Sequence, residues 1–172
     1  PVKFLQIWVM PNKKDVTPRY DQLTMQLADR KNKLQQVLSP DPTDDGVWIH
    51  QDAWFHIGNF DNEVSNTYQI KKETNGVYCF ILKGSFTING EQLSTRDGMG
   101  IWGASSLEII ASEDDATNSD GDIKSDPYSI LTKILSYSNQ NTFSGCKMLG
   151  FRSLNLSPKH KCCCEVESFV NH

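Results

Sequence analysis

Between Tyr78 and Ile110 apolar and polar residues follow one another in short runs broken by turn residues, and that rhythm predicts β-structure. Tyr78-Cys79-Phe80-Ile81-Leu82 is an apolar run of aromatic and branched side chains, the composition of a buried strand. Ser85-Phe86-Thr87-Ile88 alternates, so one face is buried and the other wet. Asn89-Gly90 offers the two positive-φ positions of a type I′ hairpin, and Glu91 to Thr95 returns. Asp97-Gly98 predicts another turn before Met99-Gly100-Ile101-Trp102, and Leu107 to Ile110 is a last alternating run. Further strands are expected over Phe4–Val9, Leu34–Leu38, Val47–Gln51, Trp54–Ile57 and Thr67–Ile70, with turn chemistry throughout Ser39 to Gly46. Many short strands with frequent turns describe an all-β chain, a single antiparallel barrel or jelly-roll-like sandwich.

The character changes after Ala116. Thr117 to Asp122 reads as a polar linker, and Asp126-Pro127 is a helix start. Ile130, Leu131, Ile134 and Leu135 recur at helical spacing, predicting a short amphipathic helix near 127–137. Beyond Ser138 no periodicity remains, and a disordered tail is expected, separable from the body by proteolysis.

Length and charge narrow the functional classes. The 172 residues, 38% hydrophobic, suffice for one domain with an appendage. A net charge of −4 with scattered Lys and Arg argues against nucleic acid. No apolar run approaches the roughly 20 residues needed to cross a bilayer, and no signal peptide is visible, so a cytoplasmic location without membrane contact is expected. The chain opens on Pro1, which suggests a piece of something longer. Four of the five cysteines lie at Cys146, Cys162, Cys163 and Cys164, a pattern unlike a disulfide framework.

Several motifs recur in a familiar order: Leu5 to Pro11, Thr17-Pro18-Arg19-Tyr20-Asp21-Gln22, Leu38-Ser39-Pro40-Asp41, Ile49-His50-Gln51-Asp52, Leu82 to Gly90, and Ser94 to Trp102. In this series the body resembles the second half of the pirin-like bicupins, the family that includes bacterial quercetin 2,3-dioxygenase-like proteins. The resemblance implies two cupin barrels in tandem. Residues 1–22 would be the last strand of a first cupin plus a connector, 23–116 the C-terminal cupin domain, and 117–172 a tail. It also implies that iron or a similar divalent metal is held by three histidines and a glutamate of the first barrel. No catalytic, cofactor-binding or metal residue of that set carries over to this chain, so no cofactor is expected in it. The family continues after a stretch like Ser112 to Ala116 into one more apolar strand; Thr117 to Gly121 does not read as one, which predicts an incompletely closed barrel.

Candidate chemistry in the body is sparse. His50 and His56 with Glu63 or Asp52 could form a two-histidine, one-carboxylate metal triad, though histidines bonded at strand ends are the commoner case. Trp48, Trp54, Phe55, Tyr68, Tyr78, Phe80 and Trp102 could line a pocket for a small aromatic ligand, though aromatics more often fill a core. Cys162-Cys163-Cys164 near His160 lacks the spaced pairs of a zinc site.

The reading that follows is a metal-free C-terminal cupin module that shapes the ligand cleft of a metal-bearing first cupin. Its rivals are a quercetin 2,3-dioxygenase-type oxidoreductase using His50 and His56, and a protein-interaction module of transcriptional-cofactor type. Exposed barrel surface and a bare sheet edge predict homo-oligomers.

Overall fold

The computed structural model describes Leu5, Ile7, Val9 and residues 11–112, 128–136, 153–155 and 162–164; within the last three stretches only the Ile130 side chain is described. Twelve strands follow in chain order: β1 Leu34–Ser39, β2 Val47–Trp48, β3 Ala53–Phe60, β4 Ser65–Gln69, β5 Asn75–Lys83, β6 Ser85–Ile88, β7 Glu91–Leu93, β8 Gly98–Ile101, β9 Ser106–Ser112, β10 Tyr128–Ser136, β11 Ser153–Asn155 and β12 Cys162–Cys164. One 3-10 turn, Leu27–Arg30, precedes them. The larger sheet runs β11-β12-β8-β5-β10-β3-β1-β2 and the smaller β4-β9-β6-β7. Among the described residues the strands pair antiparallel, except for the short β1–β2 pairing; an isolated bridge between Lys31 and Asn59 is parallel too.

The all-β expectation holds, and the hairpin at Asn89-Gly90 forms as its residue types demand, with φ of 49° and 84°. The turn before β8 is displaced from Asp97-Gly98. Arg96 takes the positive φ, Asp97 N–H donates to the Ser94 carbonyl, and the Asp97 carboxylate accepts from Ser94 N–H. Glycine was the expected turn residue, but this side-chain cap closes the turn one step earlier and leaves Gly98 free to begin β8.

The helix expected near 127–137 is a correction. Residues 128–136 form β10, paired with β3 on one side and β5 on the other. Ile130 stands opposite Gly58 and Ile81, and is fully buried. An apolar pair-and-gap pattern fits a helix stripe or a strand buried on both faces, and here the vacancy between β3 and β5 decides. The sheet is thereby completed by a segment beyond Ala116. The tail is corrected again at β11 and β12: Cys162–Cys164 is a strand, with Cys163 opposite Met99 of β8. In the expected first strand, Leu5, Ile7 and Val9 belong to no strand, and the rest of 4–9 lies outside the described residues.

The core fills the space between the sheets. Trp54 and Phe60 of β3, Val77, Cys79 and Ile81 of β5, and Met99 project from the larger sheet. Phe86, Ile88, Leu93, Leu107, Ile109 and Ala111 meet them from the smaller. Phe60 and Phe86 join the layers edge to face, 6.0 Å between ring centroids. Even-numbered positions of β3 point inward, and Gly58 is where that row has no room. A Cβ there would lie 2.5 Å from the Phe60 ring and 2.9 Å from the Lys33 carbonyl oxygen.

Candidate functional site

The alternation that puts Trp54 and Phe60 into the core puts His56 there too. Its neighbours in the larger sheet are Gln36 of β1 and Thr132 of β10. Tyr68 reaches it from β4 of the opposite sheet, the two rings meeting edge-on at 4.9 Å. His56 is only 5% exposed, and its Nδ1 has no hydrogen-bond partner. Burial, reinforced by the charge of Lys71 and opposed by that of Asp44, lowers its pKa to about 4, so the ring is neutral at physiological pH. Burial likewise raises the pKa of Tyr68, whose hydroxyl is also without a partner.

These groups line a cavity of about 610 Å³ at the edge of the sandwich, with Leu34, Gln35 and Gln36 on its β1 side. Lys71, just after β4, is also in its lining. Its ammonium donates to the Gln36 side-chain oxygen at 2.7 Å and lies 3.8 Å from the Asp44 carboxylate. Gln36 in turn donates to the Asp45 carbonyl, and Ser39 Oγ donates to Asp44 at 2.8 Å. Hydrogen bonds from Gln36 and Ser39 hold the Asp44 carboxyl below its ordinary pKa. Lys71 and Lys72 also face the Trp54 ring, at 5.7 and 5.3 Å from its centroid.

The other candidates lie elsewhere. His50 follows β2 and sets its ring edge-on to Trp48 at 4.8 Å; its carbonyl accepts from Asn12 N–H of the connector. Glu63 is exposed in the turn after β3, with φ 62° and its N–H donated to the Ala111 carbonyl. Asp52 pairs with Lys72 at 3.5 Å. His50 precedes β3 and Glu63 follows it, so a strand on the order of 20 Å long separates them. His50, His56 and Glu63 do not converge, and these residues do not fit the three-histidine, one-glutamate set. Among the described residues no group of three or more His, Cys, Asp and Glu is placed to hold a metal ion.

The aromatic residues divide as well. Trp54 and Tyr68 face the space between the sheets, whereas Phe55, Tyr78 and Phe80 are buried on alternate positions outside the central cluster, and Trp102 is 39% exposed. Missing from the candidates read in the sequence were Gln36 and Lys71, two unremarkable polar residues. Only register and a loop approach bring them to His56. No helix among the described residues is long and apolar enough to cross a membrane.

Comparison with known proteins gives a consistent result. Residues 36–117 match the family described as the quercetinase C-terminal cupin domain. The chain is 37% identical over 109 residues to the quercetin 2,3-dioxygenase of Escherichia coli strain K12, covering 63% of this chain and 46% of that protein. Its fold is similar to the crystal structure of YhhW from Escherichia coli, with a TM-score of 0.61 and 29% identity over 74% of this chain and 47% of that one. The structure of bacterial pirin YhhW in complex with nickel(II) gives 0.61 and 30%, over 75% and 48%. The chain spans about half the length of the curated relatives it matches.

Proposed function

We infer, from a chain whose body is the C-terminal cupin half of a pirin-like protein, that this half is a ligand-shaping module and not the seat of metal chemistry. The observation that carries this reading is the separation of His50, His56 and Glu63. One faces the interior and the other two stand beyond opposite ends of β3. His56 is packed edge-on against Tyr68 and stands opposite Gln36 in the register. In an intact bicupin, a metal such as iron would belong to the first barrel, and the oxidative opening of a flavonol would take place there. The connector residues 11–22 would carry the two halves against each other. They are docked here by the Arg19 guanidinium, which lies 4.2 Å from the Trp48 ring centroid and donates to the Trp48 carbonyl.

The test is elemental analysis of the purified chain with quercetin turnover followed by absorbance. Metal below stoichiometric amounts, unaffected by His56→Ala, and no oxygen-dependent loss of the flavonol band are expected. Stoichiometric iron, manganese, nickel or copper that disappears in His56→Ala would establish the rival oxidoreductase reading.

A further inference from the structure

The connector lies along the outer edge of β2, the last strand of the larger sheet. Ile49 N–H donates to the Ser39 carbonyl, which turns the Ile49 backbone towards β1. Successive residues of an extended chain aim their backbone groups to opposite sides in the plane of the sheet, so Trp48 and His50 present theirs outward. Residues 11–22 meet both outward carbonyls. The Trp48 carbonyl accepts from the Arg19 guanidinium, and the His50 carbonyl accepts from Asn12 N–H at 2.7 Å. The same guanidinium lies over the Trp48 ring, 4.2 Å from its centroid.

The residues of this edge give the cover its purpose. Val47-Trp48-Ile49-His50 is built of branched and aromatic side chains, without Lys, Glu, Asp or Pro. Exposed edges are commonly blunted by such charges or by proline, and an edge that lacks them depends on a covering segment. The cover is lightly held: among residues 11–22 only Val16 is half-buried, and the rest are exposed.

We propose that residues 11–22 are a removable guard on the β2 edge, and that the partner they hold off is a second copy of this chain, pairing β2 to β2. An antiparallel pair about a two-fold axis needs one kind of surface only, and an uncharged strand brings no like charges face to face. The outward carbonyls of Trp48 and His50 that now accept from Asn12 and Arg19 would accept from the matching backbone of the partner. The run is four residues long, so the contact forms at high protein concentration. This goes beyond a ligand-shaping role, because it gives the connector a control over association and does not depend on where any metal sits.

The experiment is sedimentation velocity of the full chain over a concentration series, comparing the parent with the double variant Asn12→Pro/Arg19→Ala. The proline removes one donor and the alanine the other. The weight-average mass of the double variant should rise towards two-fold that of the parent at the same concentration. His50→Lys added to the double variant puts a charge on the edge and should return the mass to the parent's. Lys13→Met alone, in the connector but on neither bond, should sediment as the parent does. The proposal is overturned if the double variant sediments as the parent, if its association survives His50→Lys, or if Lys13→Met associates as strongly. Loss of the double variant's cooperative thermal transition would overturn it as well, since the connector would then be a structural part of the sheet and not a guard. Metal content and turnover play no part in this readout, so either reading can fail alone.

Discussion

The ring of His56 meets the ring of Tyr68 edge-on at 4.9 Å, from opposite sheets, with no hydrogen bond to His56 Nδ1 or to the Tyr68 hydroxyl. Protonating this imidazole in place is unfavourable, and its folded pKa of about 4 lies below the ordinary 6.5. A histidine depressed on folding takes up protons first in the unfolded chain. The stability it contributes is therefore whole above pH 6.5 and is lost as pH falls from there to about 4. The difference corresponds to about 3 kcal/mol. Urea denaturation at pH 7.5 and 4.5 should show this loss, and His56→Gln should flatten it. The lowered carboxyls of Asp21, Asp41, Asp44 and Asp61 act in the same direction only below their ordinary 3.8, so they do not mask this window. An unchanged slope in His56→Gln would reassign the effect.

Gly46 closes the turn after β1 with φ 94°, and a Cβ there would sit 2.6 Å from the Val37 carbonyl oxygen. Gly46→Ala adds a backbone clash to a left-handed conformation, and should cost about 2 kcal/mol or more. Gly90 has a similar φ of 84° but open space where its Cβ would be. Gly90→Ala should cost about 1 kcal/mol. Denaturation midpoints of the two variants give the comparison; equal losses would mean that the Val37 contact is irrelevant.

Arg19 ties the connector to the domain through the Trp48 ring and carbonyl, while its ion pair with Asp21 at 2.9 Å stays within the connector. Arg19→Ala should lower stability by only about 0.5–1 kcal/mol, because the stack is partly exposed. Tryptic cleavage after Lys13 or Lys14 should nevertheless accelerate, since one side of the tether is gone. Identical digestion rates in the two proteins would show that the Asn12 N–H bond to the His50 carbonyl holds the connector alone.

Residues 128–136 lie between β3 and β5, so a chain ending at Ala116 lacks a central strand. Such a chain should lose its cooperative thermal transition, and Thr132→Pro in the full chain should do likewise by removing a ladder donor. Circular dichroism melting decides: a folded, cooperative truncated chain would return β10 to the status of an appendage.

Much of the smaller sheet was legible because its signals are local. Phe86 and Ile88 alternate with polar neighbours, and Asn89-Gly90 can turn only one way, so β6, β7 and their hairpin follow from neighbouring residues. His56 was legible as a candidate by residue type, but its inward aspect needed the parity of β3, which the Trp54 and Phe60 burial supplies. What the sequence by itself determined is the all-β character, most strand positions and a resemblance carried by ordered motifs. The identity of β10 belongs to the tertiary structure, since Ile130, Leu131, Ile134 and Leu135 satisfy either period until β3 and β5 offer their unpaired edges. The site was decided at the same level. Gln36, His56, Tyr68 and Lys71 meet only when register aligns β1 with β3 and sheet packing brings β4 across, and those are long-range contacts that no local pattern encodes.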